Sequence, residues 1–199
     1  MRFSLSIVSA VFGMATLSSA MPSGQLLSRA EELSPVVAIT SEGEIESHAN
    51  ATALGVDIFG PIPDDYTKVD DHIVADPGSK AYAWIRARID VDWDTVSDDI
   101  KVADLANIGV GMWTSTGCSG SVSYWSNIEY NPWFYWNTAN NFYSVGTDKR
   151  AFSWRERLDL YRRAGTNQCG TYTEYVPGPA GPGCWNGGPF NCFSLKIVA

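Results

Sequence analysis

The sequence predicts a mainly antiparallel β domain of the α+β class, with one short helix and two disulfide bonds. Three observations support this prediction. Several short segments alternate apolar and polar residues with a period of two, which is typical of half-buried strands. Glycine, proline and asparagine separate these segments and supply turns between antiparallel strands. The chain also contains four cysteines, an even number that suits two disulfides.

Residues 1–20 are predicted to be a secretory signal peptide. Arg2 gives a positive start, residues 3–17 are largely apolar, and residues 18–20 are small, which is the order found in such peptides. The apolar run is too short to cross a bilayer as a stable helix, and the sequence has no second run of this kind. We therefore expect a secreted, extracellular product without a membrane span.

Residues 21–53 are predicted to be a disordered leader or a removable pro-segment, because they lack aromatic residues and a sustained apolar period. Asn50 begins the single N-glycosylation sequon, and we expect it in an accessible loop. Residues 54–199 are predicted to form a single β-rich domain. Within it, the acidic and proline-punctuated residues 55–76 are expected to be irregular.

Residues 82–93 alternate apolar and charged side chains and are predicted to form the first strand. Asp94 or Thr95 is expected to cap a short helix that runs to about Ile108 and stops at Gly109. Further strands are predicted at residues 110–116, 121–128, 133–136, 141–145, 152–163, 170–175 and 192–198. For residues 152–163, the crowding of aromatic side chains favours a strand over a helix and places Trp154 on the inward face.

An oxidising destination predicts that the cysteines form two disulfides. The four residues are Cys118, Cys169, Cys184 and Cys192, which allow three connectivities. We favour Cys118–Cys169 with Cys184–Cys192, because the second pair closes a short loop rich in glycine and proline. No two cysteines have the close spacing of a zinc site, so no metal is predicted.

The chain has a formal net charge of −8, and its acidic residues are concentrated in the N-terminal half. An acidic protein is repelled by phosphate backbones, so nucleic acid is not the expected partner. The chain has two histidines, His48 and His72, and no G-x-S-x-G motif, which argues against a Ser-His-Asp hydrolase. We expect His72 to be exposed beside carboxylates, and we predict no cofactor.

Carboxylates in the cysteine-bearing half are the candidates for a glycosidase acid/base pair. They are Glu129, Asp148, Glu156, Asp159 and Glu174. Each is also explained as a solvated strand or turn residue, and the sequence gives no distance between them. Catalytic residues therefore stay unassigned, and we expect no catalysis.

Aromatic residues are concentrated between residues 113 and 143. Most are expected in the core, and a minority is expected at the surface, where such rings stack on sugars or anchor protein interfaces. The candidate binding residues are Trp125, Trp133, Tyr135, Arg155 and Arg157. Trp125 is the best candidate for an exposed ring, because its neighbours fit the apolar face better. The two arginines come from a segment, residues 149–163, in which cations alternate with aromatic residues.

Three C-terminal segments, residues 169–172 (CGTY), 182–184 (PGC) and 192–195 (CFSL), resemble the ends of small cysteine-containing secreted proteins of filamentous fungi. The resemblance covers residues 80–199 and transfers no site residue. It implies a secreted, effector-like virulence protein that binds an extracellular protein or glycan of a host or competitor. Two alternatives remain: a carbohydrate-binding or carbohydrate-active protein that uses exposed aromatics, and a toxin that acts on nucleic acid through residues 149–163.

Overall fold

The computed structural model describes residues 37–38, 44–93, 106–130, 134–137, 139–164 and 168–198. The elements are β1 Val37–Ala38, α1 Glu44–Ala53, β2 Thr67–Val69, β3 His72–Ala75, α2 Lys80–Ile89, β4 Gly109–Ser115, β5 Ser119–Trp125, β6 Tyr135–Trp136, β7 Phe142–Asp148, β8 Glu156–Ala164, β9 Gln168–Pro177, β10 Gly183–Phe190 and β11 Cys192–Ile197. These elements confirm the predicted mainly antiparallel α+β class. No helix in these ranges is both long enough and apolar enough to cross a membrane.

The strands form two antiparallel sheets. A seven-stranded sheet has the order β1-β10-β7-β4-β5-β3-β2, and a four-stranded sheet has the order β6-β11-β8-β9. The main apolar core lies between the sheets and includes Val110 and Met112 from one sheet and Leu158 and Phe193 from the other. On its opposite side, the seven-stranded sheet packs against α2 through a second cluster. The interior strands of the seven-stranded sheet are therefore covered on both faces.

The prediction of a first strand at residues 82–93 is wrong, because most of this segment forms helix α2. The buried residues of α2 follow the helical spacing of three and four that faces the sheet. Ala83 and Ala87 are buried as well, on another side of the helix, where they pack against Ala51 of α1. Burial on two sides of α2 produces an apolar pattern that also matches a period of two.

The N-terminus of α2 is fixed by two side chains. The Ser79 hydroxyl accepts a hydrogen bond from the Tyr82 backbone N–H at 3.0 Å, as an N-cap residue does. The Asp65 carboxylate accepts hydrogen bonds from the backbone N–H groups of Lys80 and Ala81 at 2.6 and 2.7 Å. The chain before α2 is thus tied to the first turn of the helix.

The predicted disordered leader contains regular structure at its end. β1 pairs with β10, and α1 occupies the last ten residues of the segment. The α1 side chain of His48 contacts the Ala87 carbonyl oxygen of α2 at 3.0 Å, and Ala51 is buried between the helices. The end of this segment is therefore ordered and not disordered, and the domain boundary at residue 53 stays a prediction. Residues 55–76, predicted as irregular, contain the hairpin β2–β3.

Seven other strand predictions are confirmed in outline by β4, β5, β6, β7, β8, β9 and β11, although β6 contains only Tyr135 and Trp136. β10 was not predicted, because its sequence, GCWNGGPF, has the composition of a loop. Most of the helix expected from Asp94 or Thr95 lies outside the described residues. Its expected end at about Ile108 is wrong, because residues 106–108 are not helical.

A buried ion pair joins α2 to the seven-stranded sheet. Arg88 Nε donates to Asp148 Oδ2 at 2.9 Å, and both residues are buried. The guanidinium lies 4.4 and 4.5 Å from the ring centroids of Trp84 and Trp93. Asp148 also accepts a hydrogen bond from the Tyr124 hydroxyl, and burial together with this carboxylate raises the pKa of Tyr124 well above its usual value.

The two disulfides are Cys118–Cys184 and Cys169–Cys192, so the favoured pairing was wrong. The first joins the β4–β5 turn to β10 within the seven-stranded sheet, and the second joins β9 to β11 within the four-stranded sheet. Cys184 and Cys192 are close in sequence but belong to different sheets, which prevents them from pairing. Each bond therefore crosslinks one sheet.

Candidate binding patch at the end of the four-stranded sheet

Trp125, the predicted exposed ring, is buried with 2% of its surface accessible. Its ring meets Phe193 edge to face at a centroid distance of 5.0 Å and stacks on His72 at 4.4 Å. The prediction is wrong because β5 is central: Tyr124 points toward α2, and Trp125 points into the core between the sheets. Alternation cannot identify an exposed face when both faces are covered.

Of the other two aromatic candidates, the structure describes Tyr135 alone. Trp133 lies outside the described residues. Tyr135 is half-buried, stacks on Phe193 at 5.0 Å, and its hydroxyl accepts a hydrogen bond from the Glu129 backbone N–H at 2.8 Å. Tyr135 therefore contributes to packing between β6 and the core.

Arg157 belongs to a polar network around Asp159. Its Nε donates to Asp159 Oδ1 at 2.6 Å, and Lys196 Nζ lies 2.9 Å from Asp159 Oδ2. The hydroxyls of Tyr161 and Tyr172 also donate to this buried carboxylate, at 3.1 and 3.0 Å. Burial opposes ionisation, but the bonds from Arg157 and Lys196 outweigh it and lower the pKa of Asp159. The network around Asp159 thus joins β8 to its two neighbouring strands, through Tyr172 of β9 and Lys196 of β11.

Trp154 and Arg155 occupy a turn immediately before β8. Trp154 has 71% of its surface exposed, which corrects the prediction of an inward ring. β8 begins only at Glu156, so the strand alternation that buries Leu158 and Leu160 does not extend back to Trp154. Arg155, a predicted binding residue, is exposed, and its guanidinium lies 5.5 Å from the Trp154 ring centroid.

One side of this turn is held by Glu156. Its buried carboxylate accepts two hydrogen bonds from the Arg150 guanidinium, at 2.6 and 2.8 Å, and one from the Ser153 backbone N–H at 2.5 Å. The Tyr130 hydroxyl donates a further bond at 2.5 Å. Burial alone would raise the pKa of Glu156, but these donors outweigh it and lower the pKa to about 2. Glu156 is therefore a structural anion at neutral pH.

The other side of the turn contacts the loop after β9. The Phe152 backbone N–H donates to the Ala180 carbonyl oxygen at 2.8 Å, and the Phe152 side chain is buried. Gly178 lies so close to Ser153 that a side chain at Gly178 would collide with the Ser153 backbone. Contacts from two directions therefore immobilise the turn that carries Trp154.

Two further exposed apolar residues lie next to Glu156. Tyr130 is bonded to its carboxylate, and Ile197, 50% exposed, is its cross-strand partner on β11. We call Tyr130, Trp154, Arg155 and Ile197 the Trp154 patch. Sequence reasoning missed it because the apolar residues are far apart along the chain. One signal was available in the sequence: Glu156 is an acid in residues 149–163, a segment with six cations, and such an acid is expected to form an ion pair.

Four of the five candidate carboxylates accept hydrogen bonds from other groups of this chain. Asp148, Glu156 and Asp159 each accept bonds from a cation, which is a structural role. Glu174 accepts a hydrogen bond from the Gly188 backbone N–H at 2.7 Å. Among the described residues, no group of His, Cys, Asp and Glu has the arrangement of a metal site.

Asn50, the predicted glycosylation site, is exposed, but it lies on helix α1 and not in a loop. Comparisons with known proteins give no further assignment. No family model, curated protein or solved structure matches this chain.

Proposed function

We propose that this chain is a secreted, effector-like binding protein that docks on an extracellular protein of a host or competitor through the Trp154 patch. The observation that carries the proposal is the 71% exposure of Trp154 on a turn that is held from two directions. The two disulfides support an oxidising, extracellular location.

The composition of the patch supports a protein partner. Tryptophan, tyrosine and arginine are the residues that most often dominate the binding energy of protein interfaces. Trp154 contributes little to the core of its own chain, because most of its surface contacts water. Its burial by a partner would remove a large apolar area from water.

The rigidity of the turn also favours binding. Ordering a mobile loop on association costs conformational entropy and weakens affinity. The turn between Arg150 and Glu156 is already ordered by the Arg150–Glu156 ion pair and by the Phe152–Ala180 hydrogen bond. The backbone that carries Trp154 therefore needs no ordering when a partner binds.

The charge at the patch specifies the chemistry of the partner. Arg155 is exposed, while the charge of Arg150 is compensated by Glu156. We infer a partner surface with an apolar pocket for the Trp154 ring and a carboxylate near the Arg155 guanidinium. The same charges do not favour nucleic acid, since Arg150 and Arg157 already bind carboxylates of this chain.

The test compares Trp154→Ala with a matched control. Tyr143→Ala removes another exposed aromatic ring, 39% accessible, from β7. Immobilised wild-type protein and both variants are incubated with extracellular protein extracts of candidate hosts and competitors, and captured proteins are quantified by mass spectrometry. For a captured protein, dissociation constants are then measured with purified components.

We expect Trp154→Ala to lose the captured protein with an unchanged melting temperature, and Tyr143→Ala to retain it. A loss of about 2 kcal/mol or more in binding free energy is typical of an interface residue of this importance. Equal capture by wild type and Trp154→Ala would refute the assignment of the patch.

A further inference from the structure

We propose that a cleft beside the β2–β3 hairpin binds a neutral pyranose sugar. The cleft has a volume of about 350 Å³ and lies between the hairpin and the described residues Trp136, Asn137, Ala139 and Asn140. This volume is at the lower end of the range for small-molecule sites, which suits one or two sugar units. The inference concerns a second site and does not depend on the Trp154 patch.

Two buried lining residues of the cleft, Asn137 and His72, are held in fixed positions. The Asn137 side chain donates to Ser123 Oγ at 2.7 Å and accepts from the Ala139 backbone N–H at 2.9 Å. The His72 ring is buried and stacked on Trp125, so our expectation of an exposed histidine was wrong. A preformed wall lowers the entropy cost of binding a small ligand.

The exposed lining of the cleft includes one aromatic ring and three polar side chains. Trp136 is 46% exposed, and no described aromatic or cationic side chain stacks on its indole. The side chains of Thr67, Asp70 and Asn140 are exposed and form no hydrogen bond with another residue in the described ranges. Their hydroxyl, carboxylate and amide groups are therefore available to a ligand.

This combination matches the chemistry of a pyranose. A sugar ring presents a face of C–H groups, which packs on an aromatic ring, and hydroxyls around its edge, which need hydrogen-bond partners when they leave water. Trp136 offers the ring, Thr67 and Asn140 offer donors and acceptors, and Asp70 offers an acceptor. Asp70 is held at the tip of the hairpin, where its backbone has a φ of 46°.

Charge selects a neutral sugar over an acidic one. Asp70 contributes a carboxylate to the cleft, and no lysine or arginine is among the described residues that line it. A uronic acid in this position would place two carboxylates close together without a fixed cation, which is unfavourable. Removing the charge of Asp70 is therefore expected to relax this discrimination.

The test is titration calorimetry with tetramers of glucose, of N-acetylglucosamine and of mannose, and with an oligogalacturonate as the acidic probe. We expect binding of at least one neutral tetramer and weaker binding or none of the oligogalacturonate. Trp136→Ala should raise the dissociation constant about tenfold or more, and Trp136→Phe should recover part of the loss, because an aromatic face is retained.

Trp136 belongs to β6, so Trp136→Ala can also weaken binding by disturbing this strand. Two further variants separate that effect from the loss of a ligand contact. Thr67→Ala/Asn140→Ala changes exposed side chains and should weaken binding of the same tetramer with an unchanged melting temperature. Trp154→Ala should bind the sugar like wild type, which separates this site from the Trp154 patch. The proposal is overturned if no neutral tetramer binds, if the oligogalacturonate is preferred, or if Trp136→Ala and the double variant bind as tightly as wild type.

Discussion

Gly178 packs against the backbone of Ser153 with no room for a side chain between them. A Cβ atom on Gly178 would lie 1.9 Å from the Ser153 carbonyl oxygen and 2.7 Å from the Glu156 carbonyl oxygen. Both atoms belong to the backbone and cannot rotate away. The loop after β9 therefore fixes the position of the turn that carries Trp154.

Gly178→Ala is expected to displace that turn. Overpacking of this kind costs about 1–3 kcal/mol of unfolding free energy, and the displaced Trp154 should weaken target capture. Urea denaturation and the capture assay measure the two effects. Gly181→Ala is the matched control, because a Cβ at Gly181 meets nothing within 4 Å. Equal stability of the two variants would contradict the predicted collision.

The lowered pKa of Glu156 predicts that the folded protein loses stability in acid. Its pKa is about 2 in the folded protein and 4.5 as the ordinary value, so its contribution is complete above pH 4.5 and is lost as the pH falls toward 2. The shift corresponds to about 3 kcal/mol of unfolding free energy.

The measurement is chemical denaturation of wild type and Glu156→Gln from pH 7 to pH 2. Glu156→Gln should be less stable at pH 7 and should lose less stability between pH 4.5 and pH 2. Glu46→Gln, at an exposed position on α1, serves as the control and should follow wild type. A parallel decline in wild type and Glu156→Gln would show that Glu156 does not hold the turn.

Removing Asp148 should leave the Arg88 guanidinium buried between two tryptophan rings without a counterion. Asp148→Ala is expected to lower the unfolding free energy by about 3–5 kcal/mol. Replacing both members, as Arg88→Met/Asp148→Leu, should cost less than Asp148→Ala alone. Denaturation of the three proteins, with the exposed Asp64→Ala as the control, tests this order.

The disulfide Cys118–Cys184 should stabilise the chain more than Cys169–Cys192. Their sequence separations are 66 and 23, and the chain-entropy model assigns about 4 and about 3 kcal/mol to loops of these lengths. Replacing both cysteines of a bond by serine should therefore lower the melting temperature more for Cys118–Cys184 than for Cys169–Cys192. Peptide mapping of the unreduced protein checks the pairing itself, and detection of a Cys184–Cys192 peptide would contradict the structure.

Trp125→Ala and Trp154→Ala should separate a core ring from a surface ring. Trp125 is buried between the sheets, and its truncation is expected to lower the unfolding free energy by about 3–5 kcal/mol. Trp154→Ala should change it by no more than about 0.5 kcal/mol. Equal melting temperatures of the two variants would be incompatible with the burial of Trp125.

The sequence predicts the fold class and the approximate positions of most strands, because short apolar or alternating segments are separated by turn residues. It does not predict α2, since Ala83 and Ala87 pack on α1 and make the helix resemble a strand. It also does not predict β10, whose glycines and proline favour turns. Pairing with β7 through a bulged register overrides that local preference.

The candidate site is predictable only in part. Arg155 and Arg157 were identified from the basic segment, but Arg157 is engaged by Asp159 and only Arg155 lies in the patch. Exposure of Trp154 depends on where β8 begins, which is set by the bonds of Glu156 to Arg150 and Tyr130. Such long-range contacts leave no periodic signal in the sequence.

The position of β1 and α1 limits where a maturation protease can act. Cleavage after Ala53 would detach the helix that covers Ala83 and Ala87, and would expose these alanines to solvent. It would also remove the strand that pairs with the edge of β10. Any propeptide released from a functional protein is therefore expected to end before Val37, which N-terminal sequencing of the mature polypeptide would reveal.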